Sequence, residues 1–183
     1  MSLAGLMTAL AEYVGDVLVN DCGQPVPDRV LRYHGTLPDD CCTEPGVLAV
    51  SWSEGRAATE FPTSAASMKN DPCASIPIYT ITIRYRVCWP VPDVDESGVQ
   101  LLDAEWDATA AMLADVADCV ARGLLLLKCG APTAPVDPLV AAVLDQVARG
   151  WLRFVDVSPS VPAGGCAGVL WRLYAAPLPG PVS

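Results

Sequence analysis

The stretch from Ile76 to Trp89, Ile-Pro-Ile-Tyr-Thr-Ile-Thr-Ile-Arg-Tyr-Arg-Val-Cys-Trp, alternates cleanly. Tyr79, Ile81, Ile83, Tyr85, Val87 and Trp89 fall on one side; Thr80, Thr82, Arg84 and Arg86 fall on the other. Successive strand side chains point to opposite faces, so this is the pattern of a strand with one face on a core. Its β-branched and aromatic residues suit a pleated, half-buried surface. It is long enough to be a central strand, and the rest of the chain must cover its apolar face.

Amphipathic helices are the natural cover. Residues 2–19 repeat Leu3, Leu6, Met7, Leu10, Val14, Val17 and Leu18 at helical spacing, with Ser2 as a fitting N-cap. Asn20-Asp21-Cys22-Gly23 ends this helix, and Pro25 and Pro27 forbid a restart. A second helix runs from Gly98 or Val99 to about Leu127, opened by the capping-box spacing of Ser97 and Gln100. Leu102, Trp106, Leu113, Val116, Val120, Leu124 and Leu127 form its core stripe, while Asp103, Asp107 and Asp118 lie away from it. Gly123 stands where a helix ends or kinks. The pair of longest elements predicts that Ile81, Ile83 and Tyr85 are buried with Leu113, Val116 and Val120. Asp137-Pro138 starts a third, shorter helix carrying Leu139, Val140, Val143, Leu144 and Val147, which ends at Arg149-Gly150.

Shorter strands complete the order. Arg29–His34 and Val47–Ser53 are candidates, the latter with Leu48, Val50 and Trp52 on one face. Gly35 to Gly46 reads as a loop, and residues 54–75 as a long mobile loop. Trp151–Val157 and Val169–Ala175 read as strands, joined through Ser158 to Gly165 by a connection too long for a tight turn. Residues 177–183 are a proline-rich extended tail. The order α-β-β-β-α-α-β-β predicts an α+β fold, a single domain over 1–176 with a mainly antiparallel sheet and helices packed on one face.

Charge and length narrow the function classes. At 183 residues with 52% hydrophobic content, the chain can bury a substantial core. The net charge of −10 argues against binding nucleic acid by neutralising phosphates. No apolar run suggests a membrane span, and the N-terminus lacks the basic region of a signal peptide. Synthesis in the reducing cytosol would start all eight cysteines as thiols.

Three motifs invite chemistry, and each has a simpler explanation. Gly164-Gly165-Cys166-Ala167-Gly168 has the spacing of a nucleophile elbow with cysteine for serine, but a strand pattern follows it where a helix is needed. The one histidine, His34, lies far upstream with no evident orienting acid. Asp93-x-Asp95-x-Ser97-Gly98 resembles the opening of a calcium loop, but the twelfth position is Ala104 and Glu105 misses by one. An acidic turn at a helix N-terminus accounts for it. The cysteines, at 22, 41, 42, 73, 88, 119, 129 and 166, contain no C-x-x-C pair. Cys88, Cys119 and Cys166 read as buried apolar thiols on elements. Cys22, Cys41, Cys42 and Cys73 read as loop cysteines free to pair in an oxidising medium. No catalytic, metal or cofactor residue is therefore assigned. Arg84 and Arg86 read either as a solvated sheet face or as part of a subunit interface with acidic residues such as Asp103 and Asp107.

With its elements placed, the chain resembles the tail-terminator family of long, non-contractile-tailed bacteriophages, especially those of actinobacterial hosts. The resemblance rests on the amphipathic helix Leu3 to Val19, the strand Ile76 to Trp89, the acidic helix Val99 to Leu127 and the closing hairpin from Trp151-Leu-Arg-Phe-Val to Gly168-Val-Leu-Trp-Arg-Leu-Tyr. It implies a structural protein of the virion neck, made in the host cytoplasm, that forms a six-membered ring. Such a ring caps the tail tube, stops its polymerisation and meets the head connector or stopper. Its partners would be itself, the tail tube protein and that connector, with DNA passing through the lumen without specific binding. A heterologous contact that closes makes such a ring, and an acidic lumen would not hold DNA. The alternatives are another small head-to-tail connector or a small cysteine- or metal-dependent enzyme.

Overall fold

The computed structural model describes residues 2–35, 45–58, 76–88, 104–129, 137–148, 150–163 and 166–176. The elements are helix α1 (Leu3–Asp16) running into a π-helical turn (Val17–Asp21), β1 (Arg29–His34), β2 (Val47–Ala58), β3 (Ile76–Cys88), α2 (Ala104–Cys129), α3 (Pro138–Ala148), β4 (Leu152–Ala163) and β5 (Cys166–Ala175). The fold is α+β. Its five-stranded sheet has the order β1-β2-β3-β5-β4. β1 runs parallel to β2, and the other pairings are antiparallel.

The alternating stretch is the central strand. Ile81, Ile83, Tyr85 and Val87 are buried in one core with Leu48 and Val50 of β2 and Val169, Trp171 and Leu173 of β5. Leu113, Val116 and Val120 belong to the same core. The helices divide the sheet between them: α1 lies over β1 and β2, and α2 lies over β4 and β5. The face of β3 therefore fills the seam between two helices rather than lying beneath one.

Ser2 caps α1 by accepting a hydrogen bond from the Gly5 amide at 3.1 Å, as its position suggests. Leu6, Leu10, Val14 and Leu18 are fully buried. By length and composition alone, Leu3–Asp21 is apolar enough to cross a membrane, contrary to the expectation from the sequence. Its apolar face packs on the sheet instead. The helix does not simply stop at residue 19. Its last turn widens, and the Cys22 amide donates to the Val17 carbonyl five residues back at 3.0 Å.

Two strands outrun their sequence patterns. β2 continues past Ser53 to Ala58, with a bulge between Trp52 and Glu54, because β3 is long enough to pair with it throughout. Residues 54–58 are thus strand rather than loop. β4 runs through Pro159 and Pro162 to Ala163, and β5 begins at Cys166 rather than Val169, so most of the expected connection is ladder. β4 is an edge strand, where a missing amide hydrogen is tolerated. Gly123 does not end α2, which continues to Cys129. The expected segments at 59–75, 93–103 and 177–183, with Trp89, Leu102 and Asp103, lie outside the described residues.

Candidate interaction surfaces

Cysteine chemistry differs from the expectation. Cys22, at the end of the π-helical turn, is disulfide-bonded to Cys119 in the middle of α2, with a Cα–Cα distance of 5.9 Å. Cys166 is disulfide-bonded as well. Cys119 and Cys166 are therefore not buried thiols, and the proposed elbow has no thiol to act as nucleophile. Spacing along the chain does not reveal such pairs, because the partners are 97 residues apart and meet only when α1 and α2 dock.

Around this bond the two helices approach closely. The Tyr13 hydroxyl donates to the Gly123 carbonyl at 2.8 Å. A β-carbon at Gly123 would lie 3.1 and 3.3 Å from the Val17 methyls, so glycine is what admits Val17 there. Burial, with a smaller contribution from Asp21, pushes the Tyr13 phenol up to about 12. Burial also raises the Tyr85 phenol, whose hydroxyl donates to the Pro45 carbonyl at 3.3 Å.

The opposite side of α2 is built differently. Ala110, Ala114, Ala117 and Ala121 recur at helical spacing beside the core stripe, and they stop short of β4. Between them and the second half of β4 lies an apolar groove of about 500 Å³, walled by Val157 and Pro159 and closed at one end by Ala167 to Val169. The carbonyl of Ala117 accepts a hydrogen bond from the indole Nε1–H of the fully buried Trp171 at 3.1 Å. Val157 remains 39% exposed. Asp118 lines the rim, paired with Arg122 one turn on. Asp107 is exposed three turns before Asp118 and so on the same side of α2.

At the far edge of the sheet, β1 is only partly covered by α1. Val26 and Val30 are 69% and 49% exposed. Arg32, on the same face of β1 as Val30, is exposed and donates to the Thr8 hydroxyl at 2.9 Å. The adjoining concavity, about 630 Å³, is lined by Glu12, Asp16 and Arg32 as well as these valines. His34 stacks at 4.4 Å on Trp52, which meets the Tyr79 ring edge-on at 5.5 Å. The histidine thus belongs to an aromatic row across three strands.

Of the residues expected at a subunit interface, Arg84 and Arg86 lie on the sheet face turned away from the helices and Asp107 lies on α2, while Asp103 is outside the described residues. Arg84 is half-buried and Arg86 is only 8% exposed. Opposite Arg86 stands Gly168, where a β-carbon would come within 3.1 Å of the arginine Cγ and 2.2 Å of the Tyr85 carbonyl oxygen. The glycine lets the arginine stem lie flat on β5, within its own subunit. Asp107 lies on the helix layer, away from this row. On the outer sheet face, Arg172 instead donates to both Asp156 carboxylate oxygens, at 2.8 and 2.7 Å. That hydrogen bond first of all raises the guanidinium pKa. The alanine stripe was visible in the sequence; that it leaves a groove depends on how far α2 sits from β4.

Among the described residues, no group of three or more histidine, cysteine or acidic side chains is placed to hold a metal ion. No family model matches the chain, and the search of curated proteins finds no match.

Proposed function

We propose that this chain is a structural subunit that closes into a ring of the tail-terminator type, made in the host cytoplasm and placed at the neck of a phage virion. In this reading it caps the tail tube, stops its growth and presents a face to the head connector while DNA passes through. One observation carries the reading. Among the described residues the sheet ends in two edge strands, β1 and β4, each with exposed apolar side chains on the helix layer, and the two edges are unlike. A subunit with two unlike contact surfaces at opposite ends associates head to tail, and head-to-tail association that closes gives a ring. The excess of 21 acidic over 11 basic side chains suits a passage that does not retain DNA.

The disulfide between Cys22 and Cys119 agrees with a protein that ends its life outside the cell, since such bonds persist in oxidising surroundings. The cysteine-nucleophile alternative loses support, because Cys166 is already bonded and sits within a strand. Native mass spectrometry of the full chain tests the proposal. A single closed oligomer, six-membered by the resemblance, is expected. A monomer at hundreds of micromolar contradicts it.

A further inference from the structure

We infer that the Cys22–Cys119 disulfide is a reducible clamp. Closed, it holds the π-helical turn and, through it, one wall of the concavity beside β1. Open, it releases both and leaves the fold in place. The clamp works whether or not copies of the chain close into a ring.

Helix geometry couples the bond to the turn. Tyr13 and Val17, one turn apart on α1, both meet α2 at Gly123. In a continued α-helix Cys22 would point about 140° away from Val17, since each residue turns by about 100°. The wider turn, in which the Cys22 amide donates to the Val17 carbonyl at 3.0 Å, brings the cysteine back round to Cys119. The bond needs this turn, and π-helical geometry is rare enough to need a tether.

The stretch beyond Cys22 is held lightly by other means. Gly23 reverses the chain at a φ of 65°, and Gly23, Pro25, Val26 and Asp28 are all exposed. The Gln24 amide donates to the Leu18 carbonyl at 2.8 Å, which again ties the stretch to the π-helical turn. Independent anchorage resumes at buried Pro27 and at the Asp28 amide, which donates to the Gly46 carbonyl at 2.9 Å. Val19 and Asn20 of the turn, with Val26 and Pro27, line the concavity beside β1. The state of the bond therefore reaches that wall.

Opening leaves the rest of the fold in place. Tyr13 and Val17 dock α1 on α2 without sulfur, and Leu6, Leu10 and Val14 are fully buried. Cys22 and Cys119 are only half-buried, next to exposed Asp21 and Asp118, so a small thiol can reach the bond from outside. A glutathione-class thiol attacks one sulfur to give a mixed disulfide and one cysteine thiol; a second such thiol frees the other cysteine. Two electrons and two protons pass to the cysteines, and the reductant leaves as its own disulfide. The reverse exchange, with that disulfide as oxidant, closes the clamp. A reducing cytosol keeps it open and an oxidising medium shuts it.

Two measurements on the full chain test this. In the first, the unmodified protein is treated with glutathione below its melting temperature and without denaturant, then alkylated and mapped by mass. Cys22 and Cys119 should both be alkylated while the near-ultraviolet signal of the tryptophans persists, and the mapping separates this bond from that of Cys166. In the second, backbone order parameters are compared between the unmodified protein and the double variant Cys22→Ser with Cys119→Ser. Over residues 19–26 they should fall from about 0.85 to below about 0.6, while Leu6–Val14 and the middle of α2 stay rigid. A bond that opens only as the near-ultraviolet signal is lost would overturn the inference. So would a double variant that fails to fold, or one in which residues 19–26 stay as rigid as in the unmodified protein.

Discussion

On the side of α2 that faces the π-helical turn, everything is fastened. Cys119 is covalently bound to Cys22, the Gly123 carbonyl accepts from Tyr13, and the absent side chain at 123 admits Val17. On the side that faces β4, small alanines leave a groove, and Asp118 on its rim pairs with Arg122 along the helix surface. One helix thus serves two ends. Its fastened side converts chain entropy and close packing into stability, whereas its open side leaves Ala110 and Ala114 exposed beside the groove, a surface that the ring reading gives to a partner. The difference is set by side-chain size at fixed helical spacing, which means that substitutions on the two sides should separate stability from association.

The largest effect is expected at the disulfide. Replacing both Cys22 and Cys119 with serine should lower unfolding free energy by about 4 kcal/mol, since the bond closes a long loop in the unfolded chain. Reductant should cost the unmodified protein more than this, because it also opens the disulfide of Cys166. A loss below about 1 kcal/mol would show that helix packing alone fastens this side.

Next comes the seam. Ile83→Ala should cost about 3 kcal/mol, because Ile83 is fully buried where both helices meet the sheet. A loss below about half a kcal/mol would place that face outside the energetic core. Gly123→Val should cost about 2 kcal/mol by forcing Val17 away, partly offset by the better helix propensity of valine. An unchanged denaturation midpoint would mean that the α1–α2 contact yields freely.

A smaller effect follows from Tyr13. Its phenol ionises near 10 when the chain is unfolded and at about 12 when folded, because burial and then Asp21 oppose the anion. A proton held more tightly by the folded state stabilises it in full below about pH 10 and progressively less as pH rises toward 12. Stability measured by denaturation should therefore fall over that window, and Tyr13→Phe should make the fall shallower. Equal slopes in the two proteins would remove Tyr13 from the account. The smallest effect belongs to the open side: Ala114→Ser should change stability by less than about 0.5 kcal/mol.

The sequence carried the elements better than their meetings. Strict alternation from Ile76 and the helical stripes of α1 and α2 predicted the central strand, the two main helices and the α+β class, because periodicity reports burial directly. The prolines at 159 and 162 concealed the second half of β4, since a local pattern cannot tell an edge strand from a turn. Parity puts Arg86 on the sheet face turned away from the helices, yet the residue is buried. Its burial depends on Gly168 on another strand, which parity does not see. The Cys22–Cys119 bond and the groove are likewise products of helix placement, fixed by three-dimensional packing rather than by spacing along the chain.

The central claim is that the two sides of α2 divide folding from association, and one paired measurement tests it most directly. Thermal melting and native mass should be recorded together for Gly123→Val and Ala114→Trp. The account predicts that Gly123→Val melts lower yet still forms rings while folded, whereas Ala114→Trp melts like the unmodified protein and runs as a monomer. An Ala114→Trp protein that forms normal rings, or one whose melting falls as far as that of Gly123→Val, would contradict it.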